Sequence, residues 1–184
     1  MIASGTGKQD LLIVALGAVG IAAFTVLTQN NFYLDSLFSI LLFAGMASAW
    51  NIVGGFAGQF SLGHTAFFGI GAYASTILLI KFGLTPWAGM LVGAVLAALA
   101  AAILGWSSFR LRGPFFSLAT IAFAEVVRIV AVNWRQLTRG SEGLLVPIER
   151  EGWLFLNFTD KALYADAALG YLVVAFLVSR WVYR

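Results

Sequence analysis

The side chains in this chain that could do chemistry are few and fall in two places. One is the run Gly54-Gly55-Phe56-Ala57-Gly58-Gln59-Phe60-Ser61-Leu62-Gly63-His64, and the other is Glu125 with Arg128. His64 is the only histidine, the residue type that changes charge nearest neutral pH, so it could act as a gate or proton relay. The plainer reading is a histidine at a helix start, hydrogen-bonded to its neighbours. Ser61 and His64 also raise an intramembrane serine hydrolase. They stand three residues apart with no third orienting group, and such a nucleophile would lack its triad. No catalytic residue is assigned, and the chain is read as a non-enzyme.

Composition removes other chemistries. There is no cysteine, hence no disulfide, thiolate metal site or thiol nucleophile, and one histidine cannot build an all-histidine metal site. No metal and no cofactor is expected. The glycines are not followed by a GKS or GKT sequence, so they do not form a phosphate loop. The net charge of +3 comes from scattered basic residues, which argues against nucleic acid as a partner.

The glycine run lies within 45 residues, 36–80, that carry no Asp, Glu, Lys or Arg. With 61% hydrophobic residues, 10% charged and a mean hydropathy of +0.93, the partner is the lipid bilayer. As one helix the 45 residues would reach about 67 Å, against a hydrocarbon core of about 30 Å. The chain must cross more than once there, and the glycine run is where it turns or breaks. Polar backbone at membrane depth survives only where protein or a water-filled cavity covers it. Gly54, Gly55, Gly58, Gln59, Ser61, Gly63 and His64 are therefore the candidate substrate path. The glycines permit positive φ or close approach, and Gln59 and Ser61 can satisfy exposed amides.

The elements that position these residues read as about six transmembrane helices in an all-α, polytopic membrane protein. Apolar runs fall at 11–28, 36–53, 61–80, 87–109, 114–134 and 164–182, with the broken glycine-rich segment between the second and third. Ser61 is the expected N-cap of the third helix, and Pro86 and Pro114 open the fourth and fifth. Along the fourth, Gly89, Gly93, Ala97, Ala101 and Gly105 recur every fourth residue, a helix-packing face that lets a neighbour come close. Glu125 and Arg128 sit one turn apart in the fifth and form an expected intramembrane ion pair. That pair is either structural or a polar latch that rearranges between transport states.

Charge gives an orientation. With the N-terminus inside, inner segments hold Lys8, Arg110, Arg112, Arg180 and Arg184 against Asp10. Outer segments hold Lys81, Arg135, Arg139, Arg150 and Lys161 against Asp35, Glu142, Glu149, Glu151 and Asp160. Basic residues in short inner loops set orientation, so both termini are expected to be cytoplasmic. The longest extramembrane segment is 135–163, and its Trp153-Leu154-Phe155-Leu156-Asn157-Phe158 stretch is suited to the membrane interface.

Two blocks carry a resemblance. Asn51-Ile52-Val53 runs into the glycine segment and is followed by Ala66-Phe67-Phe68-Gly69-Ile70-Gly71-Ala72-Tyr73. Then come Arg110-Leu111-Arg112-Gly113-Pro114-Phe115-Phe116-Ser117-Leu118-Ala119-Thr120, Ala122-Phe123-Ala124-Glu125, Arg128, Asn133-Trp134 and Gly140-Ser141-Glu142-Gly143-Leu144. In this order they resemble the branched-chain amino acid ABC transporter permeases, more the LivM type than the LivH type. The resemblance implies a bacterial or archaeal cytoplasmic (inner) membrane importer. Its partners would be a second, LivH-like permease subunit, two cytoplasmic ABC ATPases and an extracytoplasmic substrate-binding protein. Transport would proceed by alternating access, without covalent chemistry in this chain. Similar permeases carry urea and other small solutes, and the alternative is an oligomeric channel or secondary permease for such a solute. Residues 1–184 are expected to form a single transmembrane permease domain, incomplete at the C-terminus, because relatives continue into a cytoplasmic coupling loop and further helices.

Overall fold

The computed structural model describes residues 7–28, 30–56, 58–108, 111, 113–146 and 152–183. The chain is an all-α polytopic membrane protein. Its helices are α1 (Gly7–Leu27), α2 (Asn31–Asn51), α3 (His64–Phe82), α4 (Pro86–Ser108), α5 (Pro114–Asn133), the short α6 (Arg135–Thr138) and α7 (Lys161–Tyr183). By length and composition, five segments among the described residues can cross a membrane: Asn31–Gly55, His64–Phe82, Pro86–Trp106, Pro114–Asn133 and Lys161–Val182. In α1 the apolar stretch Val14–Leu27 is shorter. Of the charges that orient the chain, Arg110, Arg112, Glu149, Arg150, Glu151 and Arg184 lie outside the described residues, as do Ala57 and Phe109.

Two compact units divide the chain: residues 1–52 with 158–184, and residues 53–157. In the first, α7 packs against α2 and α1. Asn30 caps α2 by accepting the Phe32 amide at 3.0 Å. Leu34, Leu41 and Gly45 form the buried seam of α2, and Ala165 and Ala168 are buried on α7. Gly45 sits under the Tyr171 ring so closely that a Cβ would overlap it. Between α1 and α7, the Thr25 hydroxyl lies 2.9 Å from Asp166 Oδ1 and 2.8 Å from the Ala22 carbonyl. Lys161 pairs with Asp35 where α7 and α2 begin.

In the second unit α3 and α4 form an antiparallel hairpin. Gly83 ends α3 in the left-handed conformation (φ 64°), donating its amide to Leu78 and Leu79, and Pro86 opens α4. Small residues let the two helices touch. A Cβ at Gly89 would fall 2.6 Å from Ser75 Oγ, and one at Gly93 2.8 Å from the Gly71 carbonyl oxygen. The every-fourth-residue stripe thus serves α3 through Gly89 and Gly93. Gly105 is also buried, while Ala97 is half-buried and Ala101 exposed. Past α5, the Gly140-Ser141-Glu142 stretch makes a 3-10 turn, with Gly140 at φ 64°. An isolated bridge joins Gly152 to Asn157, and the Trp87 indole donates to the Trp153 carbonyl at 2.8 Å.

Two local expectations need correction. Helix α2 does not stop at Gly54-Gly55 but widens into a π-helical turn, Ile52–Phe56. Ser61 is not the N-cap of α3: Gly63 occupies that position with no side-chain cap, and Ser61 is buried, 4% exposed. The reason is tertiary, because α5 hydroxyls hold the preceding backbone.

Candidate substrate path

After the π-helical turn the backbone runs without helix from Gly58 to Gly63 before α3 begins. Gly58 adopts φ 64°, and the Gln59 amide reaches back to the Val53 carbonyl at 3.2 Å. A stretch outside regular structure leaves its own amides and carbonyls to be satisfied, which in an apolar surrounding costs several kcal/mol per group, about 2–7. Two hydroxyls on the first turns of α5 do this. Ser117 Oγ donates to the Phe60 carbonyl at 2.6 Å, and Thr120 Oγ1 accepts the Leu62 amide at 3.0 Å. Thr120 also donates to the Ser117 carbonyl at 2.8 Å and is fully buried, 0% exposed.

Spacing explains why this pair works: residues three apart on a helix share a face, so one edge of α5 meets two successive backbone groups. Gly63 completes the seat. Its α-carbon lies against the Thr120 backbone, and a Cβ there would collide with the Thr120 carbonyl. Phe116 is buried on the same side of α5, and the rings of Phe67 and Phe123 tie α3 to α5 at 5.8 Å. Ser117 and Thr120 went unrecognised in the sequence reading. The signal was there, since two hydroxyl residues three apart just after the helix-opening Pro114 are unusual company in an otherwise apolar run.

Beside this seat lies a cavity of about 690 Å³. Gly58, Gln59, Phe60 and Leu62 form one wall, and α5 contributes Ser117 and Ile121 among others. Of the expected path residues, Gly58 and Gln59 reach the cavity. Gly54 and Gly55 lie in the π-helical turn, and Ser61 and Gly63 are buried. His64 opens α3, half-buried, with its ring edge-on to Phe67 at 5.8 Å. Its Nδ1 is enclosed without a hydrogen-bond partner among the described residues, which departs from the expectation of a histidine bonded to its neighbours.

Glu125 and Arg128 form a bidentate pair within α5. Arg128 Nε donates to Oε2 at 2.8 Å and Nη2 to Oε1 at 2.6 Å. Both side chains face outward, Glu125 51% and Arg128 63% exposed. The pair therefore joins one turn of α5 to the next and leaves a charged surface within a membrane-spanning helix.

Residues 32–184 match the family described as the branched-chain amino acid transport system / permease component. The chain belongs to this permease family. This permease is 32% identical over 143 residues to the high-affinity branched-chain amino acid transport system permease protein LivM of Escherichia coli (strain K12). It is 30% identical over 143 residues to LivM of Salmonella typhimurium (strain LT2). In both cases the match covers 78% of this permease and 33% of the relative, so the chain spans about a third of the length of the curated relatives it matches. No solved structure gives a significant match.

Proposed function

We propose that this chain is the membrane-spanning permease part of an ATP-driven importer for branched-chain amino acids. The observation that carries this reading is the family match over residues 32–184, together with the two LivM relatives. Residues 1–184 act within one transmembrane permease domain, in a bacterial or archaeal cytoplasmic membrane with both termini inside. A second, LivH-like permease completes the path, two cytoplasmic ATPases drive it, and an extracytoplasmic binding protein delivers the amino acid. The chain moves its substrate by alternating access and makes or breaks no covalent bond.

Within this scheme the segment from Gly54 to His64 borders the solute path. Its support is the 690 Å³ cavity walled by Gly58 and Gln59. Cavities of this size, mostly apolar with a few polar groups, suit small-molecule ligands. The test is affinity purification of the chromosomally encoded chain, tagged at its N-terminus, in mild detergent, with mass spectrometry of everything recovered. A second permease and two ATPases are expected in the eluate. Recovery of the chain alone or as a homo-oligomer would instead favour a channel or secondary permease.

A further inference from the structure

The cavity and the Glu125–Arg128 pair share one face of one helix. Pro114, Ser117, Leu118, Ile121, Glu125 and Arg128 all fall within about 100° of arc at 3.6 residues per turn. Phe116, which also lines the cavity, and Thr120 are buried beyond the Ser117 edge of this arc. Ser117, Leu118 and Ile121 line the cavity, and Leu118 and Ile121 are exposed. Glu125 begins one turn above Ile121, about 6 Å further along the axis. The face thus runs from an apolar hollow to a carboxylate and a guanidinium, with no break.

Charges in a membrane-spanning helix turn toward protein or a wet cavity, because lipid solvates them poorly. Among the described residues the two charges bond to each other within their own helix, and both remain more than half exposed, so the pair presents both signs of charge side by side. A free amino acid has the matching chemistry. Its ammonium complements the Glu125 carboxylate, and its carboxylate complements the Arg128 guanidinium, of which Glu125 uses the Nε and Nη2 edge and not Nη1. An aliphatic side chain would then lie along Leu118 and Ile121 toward the cavity.

We propose that this face of α5 is a recognition track for a zwitterionic amino acid with an apolar side chain, held by Glu125 and Arg128 at its charged end and by Leu118 and Ile121 at its apolar end. The inference rests on the importer reading and names the residues by which that importer meets its solute.

The test uses the intact transporter purified from its host with its partner subunits, and photo-leucine, a diazirine-bearing leucine analogue, as the probe. After illumination, labelled residues are mapped by mass spectrometry in the presence of leucine, 4-methylpentanoate (no ammonium) or isopentylamine (no carboxylate). Label is expected around Leu118 and Ile121. Leucine should displace it at concentrations lower by about ten-fold or more than either analogue, since each lacks one charge-assisted contact. In Glu125→Gln the advantage of leucine over 4-methylpentanoate should shrink toward parity. Label confined to other helices, label that leucine does not displace, or equal competition by all three compounds in the wild-type protein would overturn the track. These wild-type readouts stand even if the variant fails to assemble. Uptake of radiolabelled leucine by the same preparation in vesicles, with its binding protein, separates the two levels: uptake with label elsewhere sinks the track alone, whereas absent uptake sinks the importer reading and the track with it.

Discussion

Thr120 holds Gly63 and Leu62 with two different parts of itself: its hydroxyl accepts the Leu62 amide at 3.0 Å, and its backbone leaves no space for a side chain on Gly63. The non-helical backbone before α3 is therefore seated on α5 by one polar contact and one steric one. Each can be removed separately.

Thr120→Val keeps the shape and deletes the hydroxyl, stranding a Leu62 amide beside a fully buried site. The expected cost is about 1–3 kcal/mol. Thr120→Ser should retain most of the stability. Thermal unfolding of the purified permease in detergent reads the difference, and equal melting of the two variants would remove the hydroxyl from the account.

Gly63→Ala and Gly58→Ala should behave differently. At Gly63 the added methyl meets rigid backbone of Thr120, so folded yield should fall sharply. At Gly58 nothing lies within 4 Å of a Cβ, and only the positive φ is penalised, by about 1–2 kcal/mol. Size-exclusion profiles of the two variants make the comparison, with a monodisperse Gly63→Ala being the adverse result.

Gly93→Leu should separate α3 from α4, because its neighbour is the Gly71 backbone and cannot yield. Ala101→Leu, on an exposed part of the same stripe, should leave the chain's own fold intact. Expression level and melting temperature of both variants check this. Loss of transport in a well-folded Ala101→Leu would point to a partner helix at that position.

Orientation can be read directly, since the chain has no cysteine of its own. With the N-terminus inside, Lys81→Cys should react with a membrane-impermeant maleimide on intact cells. Leu111→Cys should react only after permeabilisation. The reverse pattern would invert the topology.

Sequence by itself determined the kind of protein and much of its local structure. Apolar runs free of charge can be comfortable only in lipid, and Pro86, Gly83 and Pro114 punctuate the helices through their own backbone chemistry. The spacing of Glu125 and Arg128 was enough to place both on one face, because helical periodicity is a local property. Tertiary structure decided which faces meet. Ser61 has the chemistry of a cap yet is buried, since α5, more than fifty residues onward, supplies the groups that hold its segment. Gly89 and Ala101 look alike in the stripe, but only Gly89 lies against a neighbouring helix. Thr25 meets Asp166 across 141 residues, a separation at which no local pattern carries information. In an apolar chain nearly every helix face is greasy enough to pack, so hydrophobicity cannot choose among them. The choice falls to close fit and to the few polar groups that must find partners.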